Sequence, residues 1–393
     1  MNKNKPAGED KPSPLHFTAL RDRIAGNLAR IEADGLTRKL VSPRGIDLSS
    51  NDFLCLAQDE RIKAAMIRAV KREGVGSTGS RLLRGERDCF AAVEKQFADW
   101  KKTGRALYFN SGYQANIGLL QTFLEDDDTV FSDELNHASL IDGIRLSKAK
   151  RIIFKHRDTD EIAKLLRETE TDGQKFLVTE SLFSMDGTIA PLREYAEICR
   201  ETNTNLIVDE AHAVGVFGAT GSGLIEEFGV EDDVFLSVST AGKAIGVSGA
   251  FVAGEDWAIE YLINKARPFI FSTAPLPAIA DALQTSIKII CEEKAGREKL
   301  LNLSKFFRQL LNEKGINVSS DNSQIVPVFI GESKKAVKIA GCLQAKGFDV
   351  RAIRPPTVAE NTARLRVSLN VDLTEDILRE FVGELTLYLR EKI

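Results

Sequence analysis

The sequence predicts an α/β protein with a mainly parallel central sheet and a smaller C-terminal α+β domain. Between residues 105 and 253, short apolar segments alternate with amphipathic ones, as in parallel sheets covered by helices on both faces. After about residue 285, long helical segments surround only a few strands. The chain has 393 residues, more than one ordinary domain needs. These observations favour two domains.

Each predicted strand is a short run of aliphatic and aromatic residues, and each predicted helix repeats apolar residues every three or four positions. A helix with Phe90, Val93, Phe97 and Trp100 on one face precedes the first strand. The strands that follow are predicted at residues 105–109, 129–132, 151–154, 175–179, 205–208, 234–238 and 249–253. Helices between them include residues 114–123, 160–169 and 192–203.

In the C-terminal part, helices predicted at residues 296–314 and 374–390 accompany strands at 325–330, 350–353 and 365–369. We therefore expect three parts along the chain. They are an N-terminal tail and segment at residues 1–55, a large ligand-binding domain at 56–285 and a small domain at 286–393.

The composition is typical of a metabolic enzyme. The chain is 43% hydrophobic and 28% charged, with a formal net charge of −4, so it lacks the basic excess of nucleic-acid-binding proteins. Its five cysteines are scattered without a CxxC pair, which suits a reducing cytoplasm and predicts neither disulfides nor a metal site. The first fifteen residues are polar, and no apolar run approaches the roughly 20 residues of a membrane span. We expect a cytoplasmic protein with no membrane or nucleic-acid partner.

Two residues at strand ends carry the strongest chemical signal. Asp209 closes one apolar strand, and Lys243 follows another in the run Ser-Thr-Ala-Gly-Lys. Ligands bind beyond the carboxyl ends of parallel strands, so an acid and a lysine at these positions can meet one ligand. The lysine can bond to the aldehyde of pyridoxal phosphate, while the carboxylate keeps the pyridine nitrogen protonated. The pair therefore predicts a pyridoxal phosphate enzyme.

Two other motifs in the chain imitate nucleotide sites. Asp209 begins the letters of the helicase DEAH box, but the glycine-rich loop that such a chain needs is missing. At the sole comparable Gly-Lys pair, Ala244 replaces the magnesium-binding hydroxyl and Ser237 replaces the first glycine. The segment Gly74 to Gly79 matches the dinucleotide fingerprint but follows a helical pattern instead of a strand. We set both interpretations aside.

Other strand ends supply further candidates, each of which has a plain structural explanation as well. Gly112 and Tyr113 open a helix whose free N–H groups can hold a phosphate, although every helix begins with free amides. His137 follows the next strand, where an imidazole can stack on a cofactor ring or serve only as structure. Ser184 and Thr240 add hydroxyls after two further strands.

With these motifs together, the chain resembles the α-oxoamine synthases from about residue 35 to the end. This family consists of pyridoxal phosphate enzymes of fold type I, which are similar in architecture to aspartate aminotransferase. The matching motifs are Ser49 to Leu54, Asn110 to Tyr113, Asn136 to Ser139, Phe183 to Gly187, Asp209 to His212 and Thr240 to Lys243. The resemblance also implies a homodimer with the site at the subunit interface.

The resemblance implies a role for each matching residue. Lys243 is expected to hold the cofactor, Asp209 to face the pyridinium and His137 to stack on the ring, and these three form the catalytic set. The remaining residues expected to bind the cofactor are His212, at the ring hydroxyl, with Ser184, Gly112, Tyr113 and Thr240.

The segment from Ala352 to Arg366 is similar to one branch of the family, in which L-alanine is joined to a pimeloyl thioester in biotin biosynthesis. The acyl carrier can be coenzyme A or a carrier protein. Substrate contacts are implied for Asn51, for Thr357 and for Arg366, whose guanidinium suits the amino acid carboxylate. The alternative for Arg366 is a solvated strand charge. A substrate arginine is also expected near Arg38, with Thr37 as the alternative occupant of that position.

Three alternatives remain at this stage. Other branches of the family, such as glycine acetyltransferase, 5-aminolevulinate synthase and serine palmitoyltransferase, share the cofactor site but use other substrates. A pyridoxal phosphate aminotransferase or lyase is a different class that the acid and lysine would also serve. Finally, Arg84 in the glycine-rich loop either meets a distal carboxylate of the acyl chain or is a surface arginine.

Overall fold

The structure is a computed structural model that describes residues 17–390. The predicted polar tail at residues 1–15 lies outside this range. The described chain contains a large seven-stranded sheet, a three-stranded sheet and a two-stranded pairing. Helices cover both faces of the large sheet, as the alternating pattern predicts.

The large sheet has the strand order β2-β8-β7-β6-β5-β3-β4. Its strands are β2 (Arg105–Phe109), β3 (Thr129–Asp133), β4 (Lys150–Phe154), β5 (Lys175–Glu180), β6 (Thr204–Asp209), β7 (Val234–Thr240) and β8 (Ala250–Gly254). Strands β3 to β7 pair in parallel, and β8 runs antiparallel to both β7 and β2. The prediction of a mainly parallel sheet is confirmed.

Several strands run one or two residues beyond their predicted ends. The added residues include Glu180, Asp209 and Thr240, which are polar. Their backbones continue the ladder of hydrogen bonds, as when Glu180 pairs in register with Asp209. A prediction based on apolar residues ends each strand too early, because these polar side chains lie at the carboxyl edge of the sheet and not in its apolar core.

The described chain contains the following α-helices. They are α1 (Thr18–Ala33), α2 (Glu60–Glu73), α3 (Asp88–Lys101), α4 (Gly112–Phe123), α5 (Ala138–Ser147), α6 (Thr159–Glu168), α7 (Leu192–Glu201), α8 (Leu224–Phe228), α9 (Asp256–Lys265), α10 (Arg267–Ile270), α11 (Ile279–Glu292), α12 (Lys294–Glu313), α13 (Ser333–Ala345) and α14 (Glu375–Arg390).

Strand β6 shows how the sheet is buried. Leu206 and Val208 join one apolar cluster, Ile207 joins the cluster on the opposite face, and all three are fully buried. Alternate residues of a strand point to opposite faces, so a strand covered on both sides is apolar throughout. The next residue, Asp209, is polar and comes where the cover of helices ends.

The small sheet is antiparallel, with the order β11-β12-β9. It consists of β9 (Ile325–Gly331), β11 (Arg351–Ile353) and β12 (Ala363–Ser368), and helices α12, α13 and α14 pack around it. A further strand of two residues, β10 (Phe348–Asp349), directly precedes β11 in the chain. This arrangement agrees with the predicted α+β region.

The N-terminal segment is built into the C-terminal half of the molecule. Strand β1 (Ile46–Asp47) pairs in parallel with β10. The backbone N–H of Ser368 then donates to the carbonyl of Leu48 at 2.9 Å, and that of Val371 donates to Phe53 at 3.0 Å. These bonds bring Asn51 next to strand β12.

The predicted boundary after residue 285 falls inside helix α11. Leu283 and Ile287 of this helix pack in one cluster with Phe97 of α3. We therefore propose that the large and small domains meet between α11 and α12, near Glu293, and that residues 46–53 belong with the small domain. The glycine-rich segment Gly74 to Gly79 follows helix α2, as its sequence context indicated. None of the helices that the structure describes is long and apolar enough to cross a membrane.

Candidate active site

A cavity of about 380 Å³ lies at the carboxyl edge of the large sheet. Strands β5, β6 and β7 end there, at Glu180, Asp209 and Thr240, and helix α4 begins there. The cavity is lined by Asn110, Ser111, Gly112, Tyr113, Asn116, His137, Ser139, Glu180, Asp209, Ala211, His212, Thr240, Gly242, Lys243, Ser248 and Gly249. Parallel strands place their carboxyl ends on one edge, which explains why residues distant in sequence meet at this point.

Lys243 lies in the turn that follows β7. Its Nζ is 3.0 Å from Nε2 of His212. Burial lowers the pKa of Lys243 from 10.5 to about 8, although the nearby carboxylates of Asp209 and Glu180 act in the opposite direction. An amine with this pKa is partly neutral near pH 7, so Lys243 can act as a nucleophile or accept a proton.

Asp209 is buried at the end of β6, where two donors fix its carboxyl group. Oδ2 accepts a hydrogen bond from Nδ2 of Asn116 at 2.7 Å, and Oδ1 accepts one from the backbone N–H of Ala211 at 2.8 Å. A negative charge is thereby held in a fixed direction at the floor of the cavity.

His212 is buried beside the lysine. Nε2 of Gln324 donates to the His212 carbonyl at 2.7 Å and anchors the backbone. Burial holds the pKa of His212 well below its usual value, and the positive charges of Lys243 and Arg366 lower it further. Within residues 17–390, Nδ1 of this ring has no hydrogen-bond partner. The neutral ring can therefore still bond to a ligand.

The N-terminus of α4 forms a narrow end of the cavity. Ser111 caps the helix by accepting a hydrogen bond from the Gln114 N–H at 3.3 Å. A Cβ atom on Gly112 would lie 2.5 Å from Cγ2 of Thr240, so this position requires glycine. The free amides of the first helical turn are thus close to the Thr240 side chain, an arrangement that suits a phosphate. The Tyr113 ring is exposed, and its hydroxyl bonds to Asp142.

A second cluster joins the N-terminal segment, the small sheet and the large domain. Nη2 of Arg366 donates to Oδ1 of Asn51 at 2.9 Å, Nη1 donates to Oγ of Ser368 at 2.6 Å, and Nε donates to the carbonyl of Ser184. Arg366 is 7% exposed, so the interpretation as a solvated strand charge is wrong. Burial lowers its pKa to about 10, and it has no ion pair within the described chain.

Two predicted substrate residues lie elsewhere. Arg38 and Thr357 are exposed and do not line the cavity. Their segments lie side by side, because Nη2 of Arg354 donates to the carbonyl of Thr37 at 2.6 Å. Arg84 is likewise exposed, in the loop that precedes α3. The predicted substrate roles of Arg38 and Thr357 remain predictions.

Sequence reasoning assigned no role to several cavity residues, among them Asn116, Ser139 and Glu180. Glu180 ends β5 in register with Asp209, and burial raises its pKa well above the usual range, with a further increase from the Asp209 charge. Its Oε1 has no partner among the described residues. The position of Glu180 at a strand end was a usable signal. Asn116 was harder to find, because it lies inside a predicted helix.

These residues together fit pyridoxal phosphate. The cavity has the size of a small-ligand site, which is roughly 300–1,000 Å³. It offers an amine for an aldehyde, a carboxylate for a ring nitrogen and a glycine-lined helix start for a phosphate. Buried polar groups normally have partners, so the unpaired atoms of Glu180 and His212 indicate that a polar ligand belongs in the cavity.

Comparison with known proteins gives the family. The model of the family described as aminotransferase class I and II matches residues 43–385. The chain belongs to this family. It is 44% identical over 363 residues to the 8-amino-7-oxononanoate synthase of Anaeromyxobacter dehalogenans, and the match covers 89% of this chain and 91% of that protein.

Two solved structures of the family are similar to this chain. The 8-amino-7-oxononanoate synthase of Francisella tularensis is 32% identical with a TM-score of 0.77, and the match covers 87% of this chain and 97% of that one. A serine palmitoyltransferase variant from S. paucimobilis with a bound PLP–myriocin aldimine is 27% identical with a TM-score of 0.87, and the match covers 94% of this chain and 97% of that one.

These matches confirm the fold type I architecture that the motifs predicted. They also confirm pyridoxal 5'-phosphate as the cofactor and an α-oxoamine synthase, an acyltransferase, as the enzyme class. Enzymes of this class act on small molecules, in agreement with the absence of a basic excess in the sequence.

Proposed function

We propose that this enzyme condenses L-alanine with a pimeloyl thioester, carried on coenzyme A or a carrier protein, as a step of biotin biosynthesis. The products are 8-amino-7-oxononanoate, carbon dioxide and the free thiol. The names of relatives that are 40–44% identical over about nine-tenths of the chain support this choice. The observation that carries it is the meeting of Lys243, His212 and Asp209 in one cavity, with the buried cation Arg366 close by.

Bound pyridoxal phosphate would supply an aldehyde and a ring that withdraws electrons from the α-carbon of the amino acid. Among the residues of this chain, Asp209 would face the ring nitrogen and His137 the ring plane. The amides of Gly112 and Tyr113 and the Thr240 hydroxyl would hold the phosphate. His212 and Ser184 would contact the ring substituents.

Asp209 acts through its charge. Asn116 and the Ala211 amide hold its carboxylate in place with two hydrogen bonds. A fixed negative charge stabilises a positive charge placed beside it, and this attraction is strong because the site is enclosed. Asp209 therefore favours a protonated ring nitrogen over a neutral one.

Lys243 carries protons. Its pKa of about 8 lies near neutrality, so the amine can remove the α-proton of the amino acid and later return a proton to the product carbon. His212 at 3.0 Å orients the amine. A lysine in water, with a pKa of 10.5, would be almost fully charged at pH 7 and could not accept a proton.

Arg366 binds the amino acid carboxylate. A guanidinium has five N–H donors, and three of them are used by Asn51, Ser184 and Ser368. Two donors remain for a ligand, and the existing bonds hold the group rigid. A buried cation without an ion pair gains most from an anionic ligand, since its solvation has already been lost.

The decisive experiment measures products from purified enzyme loaded with pyridoxal phosphate. L-alanine, glycine and L-serine are each combined with acetyl, succinyl, pimeloyl and palmitoyl thioesters, while free thiol, carbon dioxide and product mass are recorded. We expect the highest kcat/KM for alanine with the pimeloyl thioester. A preference for serine with palmitoyl thioester would instead support the second candidate, to which the higher TM-score points. Transamination without thiol release would contradict both.

We also propose that the enzyme works as a homodimer. Exposed apolar side chains on the described surface include Val75, Leu83 and Phe271, which a partner subunit can cover. In this arrangement the substrate roles of Arg38 and Thr357 would be completed by the second subunit. Light scattering during gel filtration should give twice the chain mass of 43.3 kDa, and a monomeric active enzyme would contradict the proposal.

A further inference from the structure

A chain of side-chain hydrogen bonds connects Asp209 to His137 through two residues that the prediction missed. Oδ2 of Asp209 accepts from Nδ2 of Asn116 at 2.7 Å, and the same Nδ2 donates to Oγ of Ser139 at 2.9 Å. Oγ of Ser139 lies 2.7 Å from Nδ1 of His137. Asn116 and Ser139 are each 1% exposed. The floor of the cavity and the imidazole are thus joined by a buried relay.

The direction of each bond in the relay follows from the chemistry of its groups. His137 is the N-cap of helix α5, where its Nδ1 accepts the backbone N–H of Ser139 at 3.2 Å. A backbone N–H can only donate, so Nδ1 carries no proton. The Asn116 amide donates to both of its partners, which leaves the Ser139 hydroxyl hydrogen free for Nδ1. Nδ1 therefore accepts two hydrogen bonds.

We propose that Asn116 and Ser139 are positioning residues that hold His137 in the tautomer with its proton on Nε2. In this form the imidazole presents a hydrogen-bond donor, and not a base, to the cavity that it lines. Within residues 17–390, Nε2 has no hydrogen-bond partner, so it is available to a ligand. The relay begins at Asp209, and a carboxylate acceptor there orients every later bond.

Protonation or tautomer exchange would break this arrangement. A proton on Nδ1 would face both the Ser139 hydroxyl and the α5 amide, and the amide has no alternative acceptor in the first helical turn. The pKa of His137 agrees with this picture. Partial burial lowers it, and the Lys243 charge lowers it further against the attraction of Asp209.

The consequence for catalysis rests on the proposed function. A neutral ring with a proton on Nε2 can donate to an acyl carbonyl oxygen as negative charge develops there, which assigns proton removal from the α-carbon to Lys243 alone. The two roles are then separated by geometry. Lys243 moves protons, and His137 stabilises charge.

Nitrogen NMR of the holoenzyme labelled with ¹⁵N-histidine tests the tautomer without any substrate. The chain has four histidines, so His137 can be assigned by comparison with His137→Asn. We expect wild-type Nδ1 to resonate as an unprotonated nitrogen and Nε2 as a protonated one. A protonated Nδ1 in the wild-type holoenzyme would overturn the proposal, whichever substrates the enzyme accepts.

Variants then test the relay. Ser139→Ala removes the hydroxyl donor, and we expect a measurable fraction protonated at Nδ1 and a loss in kcat of about tenfold, the effect of one hydrogen bond. Ser139→Thr retains the hydroxyl and should restore both. Ser147→Ala is the matched control, because Ser147 is a buried serine of the same helix whose hydroxyl bonds only to backbone groups, the Ile144 carbonyl and the Ala149 N–H.

The outcomes separate this inference from the proposed function. If Ser139→Ala has the His137 spectrum and kcat of Ser147→Ala, the positioning role is refuted. If Ser139→Ala does not fold, the wild-type spectrum and Ser139→Thr still decide the matter. If the NMR result holds but alanine and pimeloyl thioester give no product, the relay stands and the proposed reaction fails.

Discussion

Asp209 and Glu210 are neighbours in the chain, yet Glu210 forms a buried ion pair, whereas Asp209 lines a ligand cavity together with Lys243. Glu210 bonds to Nζ of Lys101, and its Oε1 accepts the backbone N–H of Ile225 at 2.9 Å. Lys101 also donates to the carbonyl of Ser222 at 2.7 Å. Both side chains are almost fully buried. This pair is closed, because its charges meet only each other and the backbone.

Asp209 and Lys243 are the second acid and lysine, and we call them the open pair because both face the cavity. Asp209 and Lys243 line a cavity, and atoms of Glu180 and His212 beside them have no partner within the described residues. A closed pair stabilises the fold at the positions that it connects, whereas an open cluster retains charge and bonding capacity for a ligand. The two pairs therefore predict opposite results on mutation.

Removing the lysine of the open pair should have the largest effect on activity. We expect Lys243→Ala to lower kcat/KM by at least about a thousandfold, since both the cofactor bond and the proton carrier are lost. Stability should not fall, because a buried cation is also removed. Steady-state kinetics and urea unfolding of the apoprotein measure the two quantities. A variant that unfolds at much lower urea concentration would show that this pair is structural as well.

Removing the lysine of the closed pair should affect stability instead. We expect Lys101→Met to lower the unfolding free energy by about 3–5 kcal/mol, because Glu210 is left buried and unpaired. The control is Lys95→Met on the same helix, whose exposed pair with Asp99 should contribute less than about 1 kcal/mol. Equal effects of the two changes in urea unfolding would contradict the distinction between closed and open pairs.

Arg366 extends the comparison to the small sheet, since it is buried like Lys101 but, like Lys243, forms no salt bridge within the described residues. We expect Arg366→Lys to raise KM for the amino acid about ten- to a hundredfold, because the bidentate contact and the bond to Asn51 are lost. Arg351→Lys is the matched control, as Arg351 pairs with Arg366 across the sheet but bonds to Asp349. A change in kcat alone would argue against a carboxylate contact.

The smallest expected effect is a pH dependence that only the open pair should show. The pKa of Lys243 lies at about 8 in the folded protein, below its ordinary 10.5, so the reactive neutral amine forms as pH rises through about 8. The rate of cofactor uptake by the apoprotein should therefore increase from pH 6, reach half its maximum at about pH 8 and level off above about pH 9. Stopped-flow absorbance measures it. A rate that continues to rise to pH 10 would mean that the amine is not buried.

The large sheet and the reactive pair could be predicted because both leave a local signal. Buried parallel strands are mostly apolar, and Asp209 and Lys243 stand out where such strands end. Asn116 gave no such signal, since it is a single polar residue in a helical pattern, and Ser139 was part of a matching motif without a role of its own. Their role depends on the contact between helices α4 and α5, which sequence periodicity does not reveal.

The N-terminal segment shows the same limit at longer range. Strand β1 has only two residues, and its partner β10 lies about 300 positions later. Such a short strand has no periodic pattern, so its pairing cannot be read from the sequence. The burial of Arg366 beside Asn51 depends on this pairing, which is why the sequence left its solvated alternative open.

Peptide mapping of the holoenzyme after borohydride reduction tests the central claim most directly. Reduction fixes a lysine-bound aldehyde cofactor as a stable amine, so the modified residue can be identified by mass spectrometry. The structure predicts one phosphopyridoxyl group per chain, on Lys243, and none on Lys101. A reduced cofactor on another lysine, or a fully loaded enzyme with Lys243 unmodified, would contradict the assignment of the open pair as the active site.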